Sequence, residues 1–523
     1  MKVAPLFPAA VLDQLGQALR DRFGSVAVTE VLGLPGEAAL SRGDLSGADR
    51  LTRQGSETET LIRLFLLGLP VSRAAAGAAL RPLPLAEAEA AGLVEESAGQ
   101  LRAALDVRPY SETDGPDWWV VSDLGAEVRP GPLHPEHVLG IGSAGLTLAE
   151  ATVRGPVRRA LDVGTGCGVQ ALHLSEHSEA VTATDLSERA LRMAATTAAL
   201  NARSWDLRQG SLLEPVAQER FDLIVSNPPF IVGPGFGPTS GGFRYRDSGL
   251  PGDSVCAELV RGLPGRLTEG GTGQLLANWI IDGSQSWQER VSSWLPATGC
   301  QAWVWQREVA EPGEYVALWL RDAGEQPGAP GWQQRYDHWL DWFAANGVAG
   351  IGMGLVSVRR TGDQDSQVVC QDVPQAHEHP IGDAIEDWFG RGAWLRGRSV
   401  AQLLDARLVA APGLVRSTHS VISAEGWQPA LVQLRQSGGL RWELEVDDAV
   451  AALVTACTGE PTLGVVLSVL AAAVSASVDE VTAALIPVVR DLIERGFLVP
   501  VDLAPVDLVP VDLAPNAIDG GQR

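Results

Sequence analysis

Between Arg159 and Arg360 apolar runs of strand length alternate with stretches of helical periodicity, which restricts the middle of the chain to a doubly wound, mainly parallel sheet. Seven strands are expected, at Ala160–Val163, Ala180–Thr184, Asp206–Gln209, Leu223–Ser226, Gly273–Trp279, Gln301–Glu308 and Gly350–Arg359. The Trp-rich piece Trp332 to Gly347 has apolar residues at helical spacing and lies between the last two strands. It reads as part of a helical insertion at about 314–347, with core packing favoured over a lid for its tryptophans.

At 523 residues the chain has room for about three domains. The expected boundaries are 1–110, 111–360 and 361–500, followed by a tail, 501–523, that repeats VDLAP-VDLVP-VDLAP and reads as Pro-rich and disordered. Three helices and a hairpin from Gly92 to Val107 make the first segment winged-helix-like. Helices at Asp447–Cys457, Thr462–Val474 and Val478–Arg495, then Gly496 to Val499, suggest the same layout near the end. A DNA-reading helix needs Arg or Lys to reach phosphates and bases, and Thr462–Val474 has neither, so protein contact or substrate docking is favoured.

A formal charge of −24 argues against a broad cationic face. The five cysteines are far apart, which indicates neither a disulfide framework nor a zinc site and fits a reducing, cytoplasmic setting. No signal peptide is evident, and the apolar stretch Val465 to Val478 falls short of the roughly 20 residues a bilayer requires, so a soluble protein without a membrane partner is expected. His134 with His137, and His377-Glu378-His379, lack a third partner at ligand spacing; no metal is expected.

The strongest local signal is Ala160-Leu-Asp-Val-Gly-Thr-Gly-Cys-Gly168, an apolar strand that runs into glycines 164, 166 and 168 and then into a helix, Val169 to His177. Glycines there let a ligand approach the backbone at a strand's carboxyl end beside a helix N-terminus. Asp185 closes Val-Thr-Ala-Thr-Asp at about the spacing that places a carboxylate on ribose hydroxyls, which implies an adenosine-type cofactor. The spacing does not separate a nicotinamide dinucleotide from S-adenosyl-L-methionine.

Phe221-Asp-Leu-Ile-Val-Ser-Asn-Pro-Pro-Phe230 does separate them. With DVGTGCG, TATD and the Gly-Ser-Leu turn before it, the stretch from His137 to Trp279 resembles the class I S-adenosylmethionine-dependent methyltransferases with a (D/N/S)-P-P-(Y/F/W) motif. Within them it is similar to the branch of release-factor glutamine methyltransferases and ribosomal RNA guanine-N2 and adenine-N6 methyltransferases. The resemblance implies a Rossmann-like, seven-stranded class I methyltransferase domain between mainly helical flanks, with S-adenosyl-L-methionine as cofactor. It implies cofactor contacts from Asp162, Gly164, Thr165, Gly166, Gly168, Asp185, Leu186, Ser211, Leu212 and Asn227. Ser211 stands where the family usually offers an Asp to adenine. Leu139 to Leu148 resembles the segment that closes over methionine, with Gly142, Ser143 and Thr147 as candidates.

By the same resemblance the catalytic set is Asn227, Pro228, Pro229 and Phe230. The Asn227 side-chain oxygen and the Pro228 carbonyl would accept the two hydrogens of a planar NH2 group while Phe230 stacks on it. Independently, two prolines hold a turn rigid at a strand end, as positioning an acceptor requires. The alternative has Asn227 merely cap that turn.

Arg244, Tyr245 and Arg246, in the Gly-rich stretch Gly235 to Gly252, are candidate substrate residues, and Tyr110 is a candidate for the same mouth; an Arg246–Asp247 surface pair is the competing reading. Residues 151–280 carry 12 Arg against 13 Asp plus Glu, so −23 of the −24 lies outside the cofactor region. Acidic flanks repel an RNA backbone, which tips the acceptor towards a protein or peptide amide or amine. An RNA base, a peptide carboxylate or small metabolite, and a non-enzymatic cofactor sensor remain as alternatives.

Overall fold

The apolar run before the glycines becomes the centre of an eight-stranded sheet in the computed structural model, which describes residues 3–112, 115–125, 128–129, 134, 136–235 and 249–504. Its strands are β1 (Val157–Val163), β2 (Ser178–Asp185), β3 (Asp206–Gln209), β4 (Phe221–Ser226), β5 (Leu267–Ile281), β6 (Thr298–Ala310), β7 (Gly350–Asp365) and β8 (Gln367–Asp372). They lie in the order β8-β6-β7-β5-β4-β1-β2-β3. Strands β1 to β5 run parallel, β7 runs antiparallel to both β5 and β6, and β8 pairs parallel to β6. All seven expected strands are present. The eighth, Gln367–Asp372, is an addition to the seven expected: it is short, and its pairing with β6 makes it a strand.

Helices α1 (Ser143–Ala151), α2 (Val169–Leu174), α3 (Glu188–Leu200), α4 (Ser254–Arg266) and α5 (Trp287–Ser292) alternate with the strands; α6 (Pro312–Asp322) and α7 (Trp332–Ala345) form a pair between β6 and β7. One face of the sheet buries Phe221, Ile224, Leu275 and Val356 with Val260 and Leu263 of α4. Trp279 is fully buried, stacks on Trp287 at 5.4 Å and donates its indole N–H to Gln306. Its bulk explains two glycines inside β7. A Cβ on Gly352 would come within 2.0 Å of the Trp279 indole nitrogen, and one on Gly354 within 1.8 Å of the Trp305 carbonyl.

The chain groups into two units, residues 1–149 with 155–374, and residues 150–154 with 375 onward. In the first, helices from Ala9 to Ala90 precede two hairpins, Val94–Ser97 with Gln100–Ala103 and Asp106–Ser111 with Asp117–Ser122. The helices are more numerous than the three expected, because Gly33, Gly68, Pro70 and Pro84 interrupt them. The last strand of this region lies along α3: Asn201 accepts from the Trp119 N–H and donates to the Trp119 carbonyl, both at 2.9 Å, and Thr197 accepts from Val121 N–H at 3.1 Å.

The second unit holds helices at Gly382–Leu395, Val400–Leu404, Asp448–Ala456, Leu463–Val474 and Val478–Glu494, with two three-stranded sheets. Its core centres on Leu453, Leu467, Val489, Leu492 and Phe497. The repeated tail falls outside the described residues from 505 onward. Among the described residues no helix is long and apolar enough to cross a membrane.

Asn201→Ala strips partners from both polar groups of the buried Trp119 backbone, each worth about 1–3 kcal/mol when orphaned. The first unfolding transition in urea is expected at a lower concentration, with a loss of about 2–6 kcal/mol of stability. An unshifted midpoint would remove the clip from what holds the N-terminal strand.

Candidate active site

In-register pairing sets the site. Val163 of β1 is paired with Thr184 of β2 and with Ser226 of β4, so the residues that follow, Gly164, Asp185 and Asn227, leave the sheet side by side. The point lies where the strand order reverses between β1 and β4, the place at which open parallel sheets bind ligands. A cleft of about 660 Å³ opens there.

The glycine turn and the acid are built as one piece. Gly164 and Thr165 both donate their N–H to the Thr184 carbonyl at 2.9 Å. Asp185 accepts from the Gly166 N–H at 2.9 Å and from the Ser187 N–H at 2.8 Å, and the Ser187 hydroxyl caps α3. Gly164 and Gly166 take φ of 74° and 54°, which disfavours a side chain, and a Cβ on either would meet nothing within 4 Å. The empty space is the cleft. On one side the Gln170 side-chain amide donates to the Gly145 carbonyl at 2.7 Å, fixing α1 beside the opening.

Of the sequence candidates, Gly164, Thr165, Gly166, Asp185, Leu186, Ser211, Leu212, Asn227, Pro228 and Pro229 line the cleft, and so does Gly142. Asp162 lies beneath the glycine turn, fully buried, and accepts from the Thr165 hydroxyl at 2.6 Å. Gly168 packs against the Trp205 ring. Two further candidates are not among the described lining residues. Phe230 is half-buried and meets Trp319 edge-on at 5.9 Å, beside the aromatic cluster around α6 and α7. Tyr110 packs against Trp118 and hydrogen-bonds His173 at 3.1 Å, away from the cleft lining. Arg244, Tyr245 and Arg246 lie outside the described residues.

Residues missed in the sequence include Gln170, on the helix that directly follows the glycine turn, and Glu136, Leu250, Val255 and Glu258, which line the cleft from elsewhere in the chain. Among the described lining residues Glu136, Asp185 and Glu258 are carboxylates and none is Arg or Lys. Such a cleft favours a cationic ligand over a phosphate. The buried Cys167 thiol is pushed up to about 12 by burial and stays protonated at neutral pH. No group of three metal-ligating side chains occurs among the described residues.

The most telling atom is the Asn227 side-chain oxygen. It is buried, belongs to a residue lining the cleft, and accepts no hydrogen bond from the protein. Such an orphan costs about 1–3 kcal/mol unless a ligand satisfies it.

Fold and cleft define an α/β unit with a ligand-sized opening at the switch point of a parallel sheet. Residues 139–237 match the methyltransferase small domain family; 20–104 and 386–500 match two domains of unknown function, DUF7059 and DUF7782. The chain is 38% identical over 130 residues to the release factor glutamine methyltransferase of Xylella fastidiosa, covering 23% of this chain and 47% of that protein. It is 32% identical over 151 residues to the ribosomal protein uL3 glutamine methyltransferase of Bradyrhizobium diazoefficiens, covering 27% and 46%. The chain thus spans about half the length of these curated relatives. Among solved structures, a methyltransferase from Pyrococcus furiosus aligns at 17% identity and a TM-score of 0.24, over 45% of this chain and 92% of that one.

Asp162 carries a testable pH signature. Burial, aided by the nearby Asp185 charge and opposed by the Thr165 hydroxyl, raises its pKa to about 7, against roughly 3.9 when unfolded. The folded chain therefore holds a proton that the unfolded chain has lost, so this group's contribution to stability falls as pH rises from about 4 to about 7 and is level above that. Asp162→Asn, which mimics the neutral acid, should gain in Tm over the parent across that interval and hold a constant lead at pH values above it. Equal Tm differences at both ends of the interval would contradict the assignment.

Proposed function

We propose that the protein is an S-adenosyl-L-methionine-dependent methyltransferase that methylates the nitrogen of a planar amide or amine on a protein or peptide. The observation that carries this is the unpartnered, buried side-chain oxygen of Asn227, a residue of the cleft lining one strand away from a glycine turn whose missing Cβ atoms leave room for a ligand. When bound, S-adenosyl-L-methionine supplies an electrophilic methyl group on a sulfonium. Gly164, Thr165 and Gly166 would hold its nucleoside side, Asp185 its ribose hydroxyls, and Ser211 with Leu212 the adenine. The carboxylates of the lining suit its positive charge.

The chain's own work is alignment. Asn227 Oδ1 and the Pro228 carbonyl accept the two N–H hydrogens of the acceptor, which turns the nitrogen lone pair towards the methyl donor. The two prolines limit the turn to few soft torsions, so the acceptors sit in place beforehand. The proton leaves after transfer, and no strong base is required. Phe230, held edge-on by Trp319, would offer its face to the acceptor plane that these two hydrogen bonds set. A protein amide is the favoured acceptor because relatives that match the central segment are named glutamine methyltransferases and because the charge outside that segment is strongly acidic.

Radiolabelled S-adenosyl-L-methionine and fractionated cell extract identify the acceptor: label released by protease supports the proposal, and label released by nuclease overturns the protein acceptor. Asn227→Ala is expected to lower kcat about 10²–10³-fold while S-adenosylhomocysteine binding, read by calorimetry, stays within about two-fold. Gly166→Val should do the opposite, because its side chain fills the cofactor space: binding falls at least about ten-fold. Full activity in Asn227→Ala would remove that residue from the mechanism.

A further inference from the structure

The segment that leaves the catalytic turn is gripped by groups far away in sequence. Val232, five residues beyond Asn227, is fully buried, and both of its backbone polar groups are taken by side chains. Its N–H donates to the Tyr315 hydroxyl of α6 at 2.9 Å, and its carbonyl accepts from the Trp339 indole of α7 at 3.1 Å. The same Tyr315 oxygen accepts from the Asn278 side chain of β5 at 2.9 Å. Tyr315 is fully buried within the cluster that also holds Phe343, Trp339 and Ile351. Next along, a Cβ on Gly233 would strike the Trp339 ring at 2.7 Å, so only glycine fits beneath the indole.

We propose that the α6–α7 pair is a positioning clamp for the acceptor: Tyr315, Trp339 and Asn278 fix Val232 and thereby aim Asn227 Oδ1 and the Pro228 carbonyl. This deepens the methyltransferase reading and rests on it. One end of the catalytic turn is anchored in β4, where the Ser226 hydroxyl donates to the Val163 carbonyl at 2.8 Å. The other end is anchored at Val232. Between them each proline removes a soft torsion, so a rigid hold on Val232 is transmitted to Asn227 instead of being absorbed by the loop. Phe230 on Trp319 adds an apolar contact from the same helix. A clamp of this kind is worth having because a misplacement of about 1 Å in an aligned transfer costs about 10²-fold in rate.

The test uses the full chain with Tyr315→Phe, which keeps the ring and removes the acceptor oxygen, and Trp339→Phe as a second variant should the first fold poorly. Hydrogen exchange in the 227–235 segment is expected to quicken at least ten-fold in either variant, while the 160–170 segment and S-adenosylhomocysteine affinity stay within two-fold. On the acceptor found by labelling, kcat should fall about 10- to 100-fold with KM for the methyl donor unchanged. In an Asn227→Ala background the same change should cost at least three-fold less than in the parent, because only the Pro228 carbonyl is left to aim. Unchanged exchange at 227–235 overturns the clamp, as does faster exchange with unchanged kcat. A loss that repeats in full in the Asn227→Ala background, or that falls equally on cofactor affinity, assigns these residues to stability and also overturns it. Failure of the methyltransferase reading shows separately: the parent protein then binds no S-adenosylhomocysteine and transfers no label, whatever the exchange pattern.

Discussion

The site depends on the register in which β1, β2 and β4 pair. Because side chains alternate between the faces of a strand, a slip of one residue would turn Asp185 or Asn227 away from the ligand while leaving a plausible sheet. Burial on both faces prevents that slip. Ala160, Leu161 and Val163 in β1 and Leu223, Ile224 and Val225 in β4 are all buried, so no register with a solvated face is available to them. The Asp185 carboxylate then joins two consecutive connections, from β1 to α2 and from β2 to α3, through the N–H groups of Gly166 and Ser187.

The two halves of the sheet are built differently. β1, β2 and β3 border the cleft with backbone turns and one acid, Asp185. From β4 onward the sheet is backed by β5, β7 and the α6–α7 pair, where tryptophans do the packing. Trp279, Trp339 and Trp319 each lie against a glycine or an aromatic ring that accommodates them. The charge divides differently along the chain: residues 151–280, which hold β1 to β4 and most of β5, are nearly neutral and the remainder carries the acidity.

What could be read from the sequence was what local physics encodes. The glycine turn, the acid at the end of β2 and the Pro-Pro turn each announce themselves within about ten residues, and their strands follow from apolar runs. The direction of Phe230 was not legible, since its neighbour Trp319 is supplied from α6. Nor was the hold of Tyr315 on Val232, which spans 83 residues and joins two residues that individually look like ordinary core. Tyr110 shows the converse: an aromatic just ahead of the sheet suggested the cleft mouth, whereas its partner proved to be His173 on the α2 side. β8 was missed because a short strand at a sheet edge is defined by its neighbour.

The clip between Asn201 and Trp119 bears on where this protein begins and ends as a folding object. The segment that matches the methyltransferase small domain starts at residue 139, after the strand Asp117–Ser122 and before β5 to β8. Cut to those limits, α3 would lose the strand that Thr197 and Asn201 bind, and β4 would become a bare sheet edge in place of a central strand. The segment that matches the family is therefore smaller than the packed unit that supports it, which also takes in the N-terminal hairpin and the tryptophan-rich strands.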